Sequence, residues 1–225
     1  DMKLGTRLLR PDFKWSRIEP TDDDFQVEKY DALVDNAGAH GQQMLALLDY
    51  SQDWAEAEPG NTSTIDVNEF AEFTGVVAQH FADRILWYEI WNEENTERFW
   101  HPEPDPVRYG ELLKASAIAI RAADPDAKIV FGGLASLTFF GSGSWPFLDD
   151  TLHAHPDLGN YIDAVAIHPY TLLQTLAPEA DNAAGTYENM LAAATEVLSR
   201  YGLERVPLVL TEMGWPACPC PSLAT

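Results

Sequence analysis

Apolar residues along this chain follow two alternating patterns. The first is a series of short, nearly continuous apolar runs. Six of them, Leu4–Leu9, Gln43–Leu48, Ile85–Ile90, Lys128–Phe131, Ile162–Ile167 and Pro207–Leu210, read as strands buried on both faces. The second is a series of longer segments with apolar residues three or four positions apart. Tyr30, Leu33, Val34 and Ala37 predict one face of a helix over Val27–Ala37, ended by Gly38 and Gly41. Asp66 is a candidate cap for a helix carrying Phe70, Phe73, Val77 and Phe81. Asp105-Pro106 reads as cap and first turn of a helix running to about Ala123, stopped by Asp124-Pro125. A last helix is predicted over Tyr187–Tyr201, with Thr186 as its cap and Gly202 as its stop.

Strands alternating with amphipathic helices imply a parallel sheet covered by helices. A doubly wound sheet and a (β/α)8 barrel share that signature. The position of the polar residues favours the barrel. Arg10, Asp49, Asn92, Glu93, His168, Tyr170 and Glu212 each follow a predicted strand. A barrel gathers all its strand C-termini around one mouth. A doubly wound sheet usually carries a Gly-rich first turn, and no G-x-G-x-x-G occurs here. The fold expected is therefore α/β, a (β/α)8 TIM barrel of which strands two to seven are visible. Residues 1–216 are read as the catalytic barrel domain, cut at both ends, and 217–225 as an irregular tail.

Charge narrows the partners. The 225 residues include 14 basic and 36 acidic ones, for a formal net charge of −22. Such a surface repels nucleic-acid phosphates and anionic membranes, so neither is expected as a partner. A neutral oligosaccharide or polysaccharide is compatible with it. No run of apolar residues is long enough to span a membrane, and the start of the chain carries no leader-like segment. Cys218 and Cys220, one residue apart, make a poor disulfide and a poor zinc site. His153 and His155 lack an evident third ligand. No metal and no cofactor are expected.

Two glutamates carry the candidate chemistry. Glu93, in Trp91-Asn92-Glu93, and Glu212, in Thr211-Glu212-Met213-Gly214-Trp215, each lie just past an apolar strand. A carboxylate there is costly unless it faces a cleft. Glycoside hydrolysis needs such a pair: one carboxyl protonates the leaving oxygen, the other meets the positive charge developing at the anomeric carbon. A neighbouring Arg and Tyr would favour the ionised form of the second. Asn92 is placed to hydrogen-bond a sugar hydroxyl, and Trp54, Trp100 and Trp215 offer apolar faces to sugar rings. A non-catalytic carbohydrate-binding remnant of such a barrel is the alternative reading.

Particular segments carry a family resemblance. Trp91-Asn92-Glu93, Ala166-Ile167-His168-Pro169-Tyr170 and Leu210-Thr211-Glu212-Met213-Gly214-Trp215 resemble the retaining glycoside hydrolases of clan A. Phe99-Trp100 with Pro102 and Pro104, Tyr109-Gly110-Glu111-Leu112-Leu113, and Tyr50-Ser51-Gln52-Asp53-Trp54-Ala55 are similar to family 39, with family 5 next. The resemblance implies a retaining β-glycosidase with Glu93 as acid/base and Glu212 as nucleophile. It implies Arg10 as the clan's strand-two arginine, and His168 and Tyr170 as residues lining the site. Glu94 departs from the pattern, standing where proline usually follows the acid/base.

Overall fold

The computed structural model of the chain describes residues 5–136, 145–170 and 187–214. Among these residues its centre is a curled, all-parallel sheet of seven strands: β1 Leu8–Leu9, β2 Asp12–Lys14, β3 Gln43–Asp49, β4 Trp87–Asn92, β5 Lys128–Ala135, β6 Ala164–His168 and β7 Leu208–Leu210. Strands from β3 onward pair in chain order, while β1 and β2 both pair with β3. This is a half-barrel, the expected portion of a (β/α)8 fold.

The first strand differs from the expectation. It does not stop at Arg10-Pro11 but resumes beyond, in the same register: Leu9 pairs with Met44 and Asp12 with Leu47. Pro11 has no N–H to give the ladder, yet its carbonyl still accepts from Leu47 N at 3.1 Å. The result is one edge strand in two pieces. Strand β5 also runs on, through Gly132-Gly133, where the sequence suggested a stop. It carries an irregularity against β6 between Phe131 and Leu134.

Among the described residues six α-helices accompany the sheet: α1 Trp15–Ile18, α2 Asp31–Ala39, α3 Val67–His80, α4 Pro106–Ala123, α5 Trp145–Ala154 and α6 Tyr187–Arg200. Alternation along each strand splits the core. Met44, Ala46, Leu48, Tyr88, Ile90, Ile129, Phe131, Val165 and Ile167 pack outward with the helices. Leu45, Val130, Ala164 and Ala166 form the inner cluster. The predicted apolar stripe of α3 is fully used, since Phe70, Phe73, Val77 and Phe81 are all buried. The stripe before Gly38 is only partly right: Val27–Tyr30 is a 3-10 turn, and Leu33 faces solvent. Helix α5 was not foreseen, although Trp145, Leu148 and Leu152 bury one face of it. Thr186, the expected cap of α6, lies outside the described residues. No helix among the described residues is long and apolar enough to cross a membrane.

Two helix starts follow the sequence signals closely. The Asp105 carboxylate accepts from Val107 N and Arg108 N, ahead of Pro106. Asp66 accepts from Asn68 N at 2.8 Å and Glu69 N at 3.5 Å. Replacing Asp66 by Ala leaves those amides without their acceptor. The expected loss is about 1 kcal/mol, read as a lower urea midpoint with an unchanged slope.

Candidate active site

The ends of the strands converge on Arg10. Its guanidinium lies inside the curl of the sheet with its side chain 14% exposed. Nε donates to Glu89 Oε2 at 2.6 Å and Nη2 to Glu89 Oε1 at 2.9 Å. Nη2 also donates to Asn92 Oδ1 at 2.8 Å, and Nη1 to Glu212 Oε1 at 2.8 Å. One cation thus ties the edge strand to β4 and to the segment after β7.

Glu89 was missed in the sequence. It sits in the middle of β4, where the surrounding apolar residues mask it, and its side chain is completely buried. A signal was available, because an acid inside an apolar strand is costly unless a cation meets it. Burial pushes the Glu89 carboxyl up, and the two hydrogen bonds from Arg10 pull it back toward the ionised form.

Strand β4 ends in an unusual turn. Trp91 and Glu93 both have positive φ, 71° and 51°, a region that costs a residue with a side chain roughly 1–2 kcal/mol. Packing holds it: Trp91 is fully buried and its Nε1 donates to Phe99 O at 3.0 Å. Neighbouring strand residues normally point to opposite faces. Here Asn92 reaches Arg10 while Glu93 reaches His168, so both serve one site. Asn92 Nδ2 donates to Tyr50 OH at 3.1 Å, so protein groups engage both ends of its amide.

The two candidate glutamates face each other across His168. Glu93 Oε1 is 3.0 Å from His168 Nδ1. His168 Nε2 is 3.0 Å from Thr211 Oγ1 and 3.8 Å from Glu212 Oε1. Tyr170 OH donates to Glu212 Oε2 at 3.2 Å. Burial, then the Glu212 charge, pushes the Tyr170 phenol up to about 12, so it remains a donor. Side-chain exposure is 19% for Glu93 and 36% for Glu212, which leaves both reachable from the mouth. Glu93, His168 and Glu212 each offer a ligand atom, all within 4.8 Å of one another.

Two expected sugar contacts need correcting. His168 is fully buried behind the two glutamates, so its ring holds them rather than lining the cleft. Trp100 is also fully buried, with Nε1 donating to Ser63 Oγ at 2.9 Å and its ring against Trp91 at 5.1 Å. It is a core residue and presents no face to a ligand. Trp54 is partly exposed, its ring edge-on to Trp15 at 5.3 Å. Trp215 lies outside the described residues.

Close approach explains the paired glycines of β5. A Cβ on Gly133 would come within 2.2 Å of His168 Nε2 and 3.0 Å of Glu89 Oε1. A Cβ on Gly132 would come within 2.4 Å of Glu94 Oε2. Glu94 is sealed away from the mouth, with neither oxygen hydrogen-bonded among the described residues. Burial pushes it well above the usual carboxyl range, so it is held as a neutral acid.

Residues 2–218 match the family model described as Cellulase (glycosyl hydrolase family 5). A family 39 glycoside hydrolase from Bacteroides cellulosilyticus WH2 is 17% identical with a TM-score of 0.69, covering 92% of this chain and 43% of that one. A monomeric beta-xylosidase from Caulobacter crescentus CB15 is 20% identical with a TM-score of 0.72, covering 97% and 48%. Xylanase 10B from Thermotoga maritima is 16% identical with a TM-score of 0.57, covering 92% and 61%. The chain therefore spans less than half the length of the first two and about three-fifths of the third. No curated protein matches its sequence. The likenesses share the clan A barrel fold.

Asp49, at the end of β3, is fully buried and neither oxygen has a partner among the described residues. Burial first, then the charge of Asp12, pushes its carboxyl up to about 8. The unfolded chain releases this proton near pH 4, whereas the folded chain keeps it. The stability it confers is complete below pH 4 and is lost as pH rises toward 8. Asp49→Asn, which cannot ionise, should flatten that fall by about 1 kcal/mol per pH unit. Urea denaturation across this range reads it. An unchanged slope with pH would refute the assignment.

Proposed function

This chain belongs to the cellulase family, glycosyl hydrolase family 5, and we propose that it hydrolyses O-glycosidic bonds of an oligosaccharide or polysaccharide with retention at the anomeric carbon. The observation that carries the reading is the spacing of the two carboxylates. Oxygens of Glu93 and Glu212 lie within 4.8 Å of each other. Retaining enzymes hold the pair about 5–5.5 Å apart, whereas inverting ones leave about 6.5–9.5 Å for a water.

The environments support distinct roles. Arg10 and Tyr170 donate to the two oxygens of Glu212, which stabilises its anion and suits it to attack the anomeric carbon. Glu93 faces His168 instead and carries the proton for the leaving oxygen. In the first step the Glu212 oxygen bonds to the anomeric carbon as the glycosidic bond breaks, and the proton passes from Glu93 to the departing hydroxyl. In the second, Glu93 takes a proton from water, whose oxygen displaces Glu212. The two carboxyls account for every proton in this sequence, so the reaction as written uses no cofactor.

Two substitutions and one spectrum test it. Glu212→Gln should abolish hydrolysis. Glu93→Ala should lower kcat/KM roughly 10²–10⁴-fold on unactivated glycosides, yet still react with 2,4-dinitrophenyl glycosides, whose leaving group needs no proton. Proton NMR of the first-formed sugar should show the substrate's own anomer. An inverted product, or wild-type chain that binds sugars without turnover, would sink the proposal.

A further inference from the structure

The two ring nitrogens of His168 meet different partners, and those partners differ in what they can donate. Nε2 faces Thr211 Oγ1 at 3.0 Å and Glu212 Oε1 at 3.8 Å. Nδ1 faces Glu93 Oε1 at 3.0 Å. Which nitrogen carries the hydrogen decides what Glu93 must be.

The Thr211 hydroxyl has one proton and two neighbours able to take it. It lies 3.4 Å from Glu89 Oε1 as well as 3.0 Å from His168 Nε2. Glu89 receives two N–H bonds from Arg10, a bidentate pairing that calls for its carboxylate form. A carboxylate only accepts. With its proton directed to Glu89, Thr211 offers a lone pair to Nε2, and so does the Glu212 carboxylate beyond it. Both partners call for a hydrogen on Nε2. A neutral ring then has a bare Nδ1, and the 3.0 Å contact to Glu93 needs a proton that only Glu93 can supply.

We infer that Arg10, Glu89 and Thr211 form a hydrogen-bond relay that fixes His168 as its Nε2–H tautomer, so that Nδ1 accepts from Glu93 and holds it as the acid. Glu89 and Thr211 are positioning residues, and the inference deepens the hydrolase reading on which it rests. The same polarity serves the second half of the reaction. Once Glu93 has given up its proton, the bare Nδ1 faces an anion, and taking a proton from water restores the hydrogen bond. Gly133 makes the relay physically possible, since any Cβ there would displace His168 or Glu89.

The other charged or titratable groups facing this pair are accounted for. Arg10, after β1, is shared between Glu89 and Glu212. Glu94, beside Glu93, is kept neutral by burial, and Tyr170, after β6, stays protonated on Glu212. Glu93 is therefore the group on which the relay acts.

The test uses Thr211→Val and Thr211→Ser. Valine keeps the shape and removes the hydroxyl; serine keeps the hydroxyl. In Thr211→Val the basic limb of kcat/KM should move to lower pH by about one unit. Thr211→Ser should return the limb to its wild-type position. Independently, ¹⁵N NMR of histidine-labelled chain, with His168 assigned by its loss in His168→Asn, should show Nε2–H in wild type and Thr211→Ser at neutral pH. It should show a tautomer mixture in Thr211→Val. A wild-type Nδ1–H ring, an imidazolium, or a basic limb unmoved by valine would overturn the relay. The NMR readout needs no turnover, so an inactive chain with an Nε2–H ring would sink the hydrolase reading and leave the relay standing.

Discussion

The buried pairing of Arg10 with Glu89 is the constraint on which the rest of the site depends. Glu89 is fully enclosed within β4, and an unpaired charge there would be intolerable. Removing one partner of such a pair typically costs about 3–5 kcal/mol, because the other charge is stranded. The bidentate geometry also fixes the guanidinium plane, which aims the remaining N–H groups at Asn92 and Glu212. Orientation of the nucleophile candidate is thus inherited from a carboxylate that never meets the mouth.

The surrounding fold supplies what that pairing needs. A parallel sheet brings residues from separate strand ends to one side, and the positive φ at Trp91 and Glu93 turns consecutive side chains into the same space. Glycines in β5 clear room for His168 and Glu94. Aromatic packing beneath the turn, with Trp91 against Trp100 and Phe70, offsets the backbone cost. The strained turn and the glycines are both local exceptions to good strand chemistry, and both occur where the site is built.

Much of this was legible in the residues, for identifiable reasons. Most strand positions and the helices begun by Asp66 and Asp105 followed from apolar spacing and capping, whereas α5 did not. Arg10, Asn92, Glu93, Tyr170 and Glu212 stood out because a polar residue closing a buried strand needs either a cleft or a counterion. Glu89 stayed hidden because its neighbours are apolar and its partner lies far away in sequence. Trp100 misled because an indole suits a core as well as a sugar, and spacing does not tell which side it faces. His168 sat in the right place, but its enclosure depends on strands that the local sequence does not describe. Pro11 suggested a strand end, whereas at an edge the missing N–H costs only one rung.

The order in which the site's parts leave the ribosome follows from their numbering. Arg10 and Glu89 are 79 positions apart, whereas Arg10 and Glu212 are 202 apart. During synthesis the cation precedes the acid it must neutralise, so β4 can bury Glu89 against a counterion already made. Glu212 is made later, after the residues of β3 to β6. A nascent chain can therefore settle its most costly charge early, while the two candidate glutamates are brought together only when the last described strand is added.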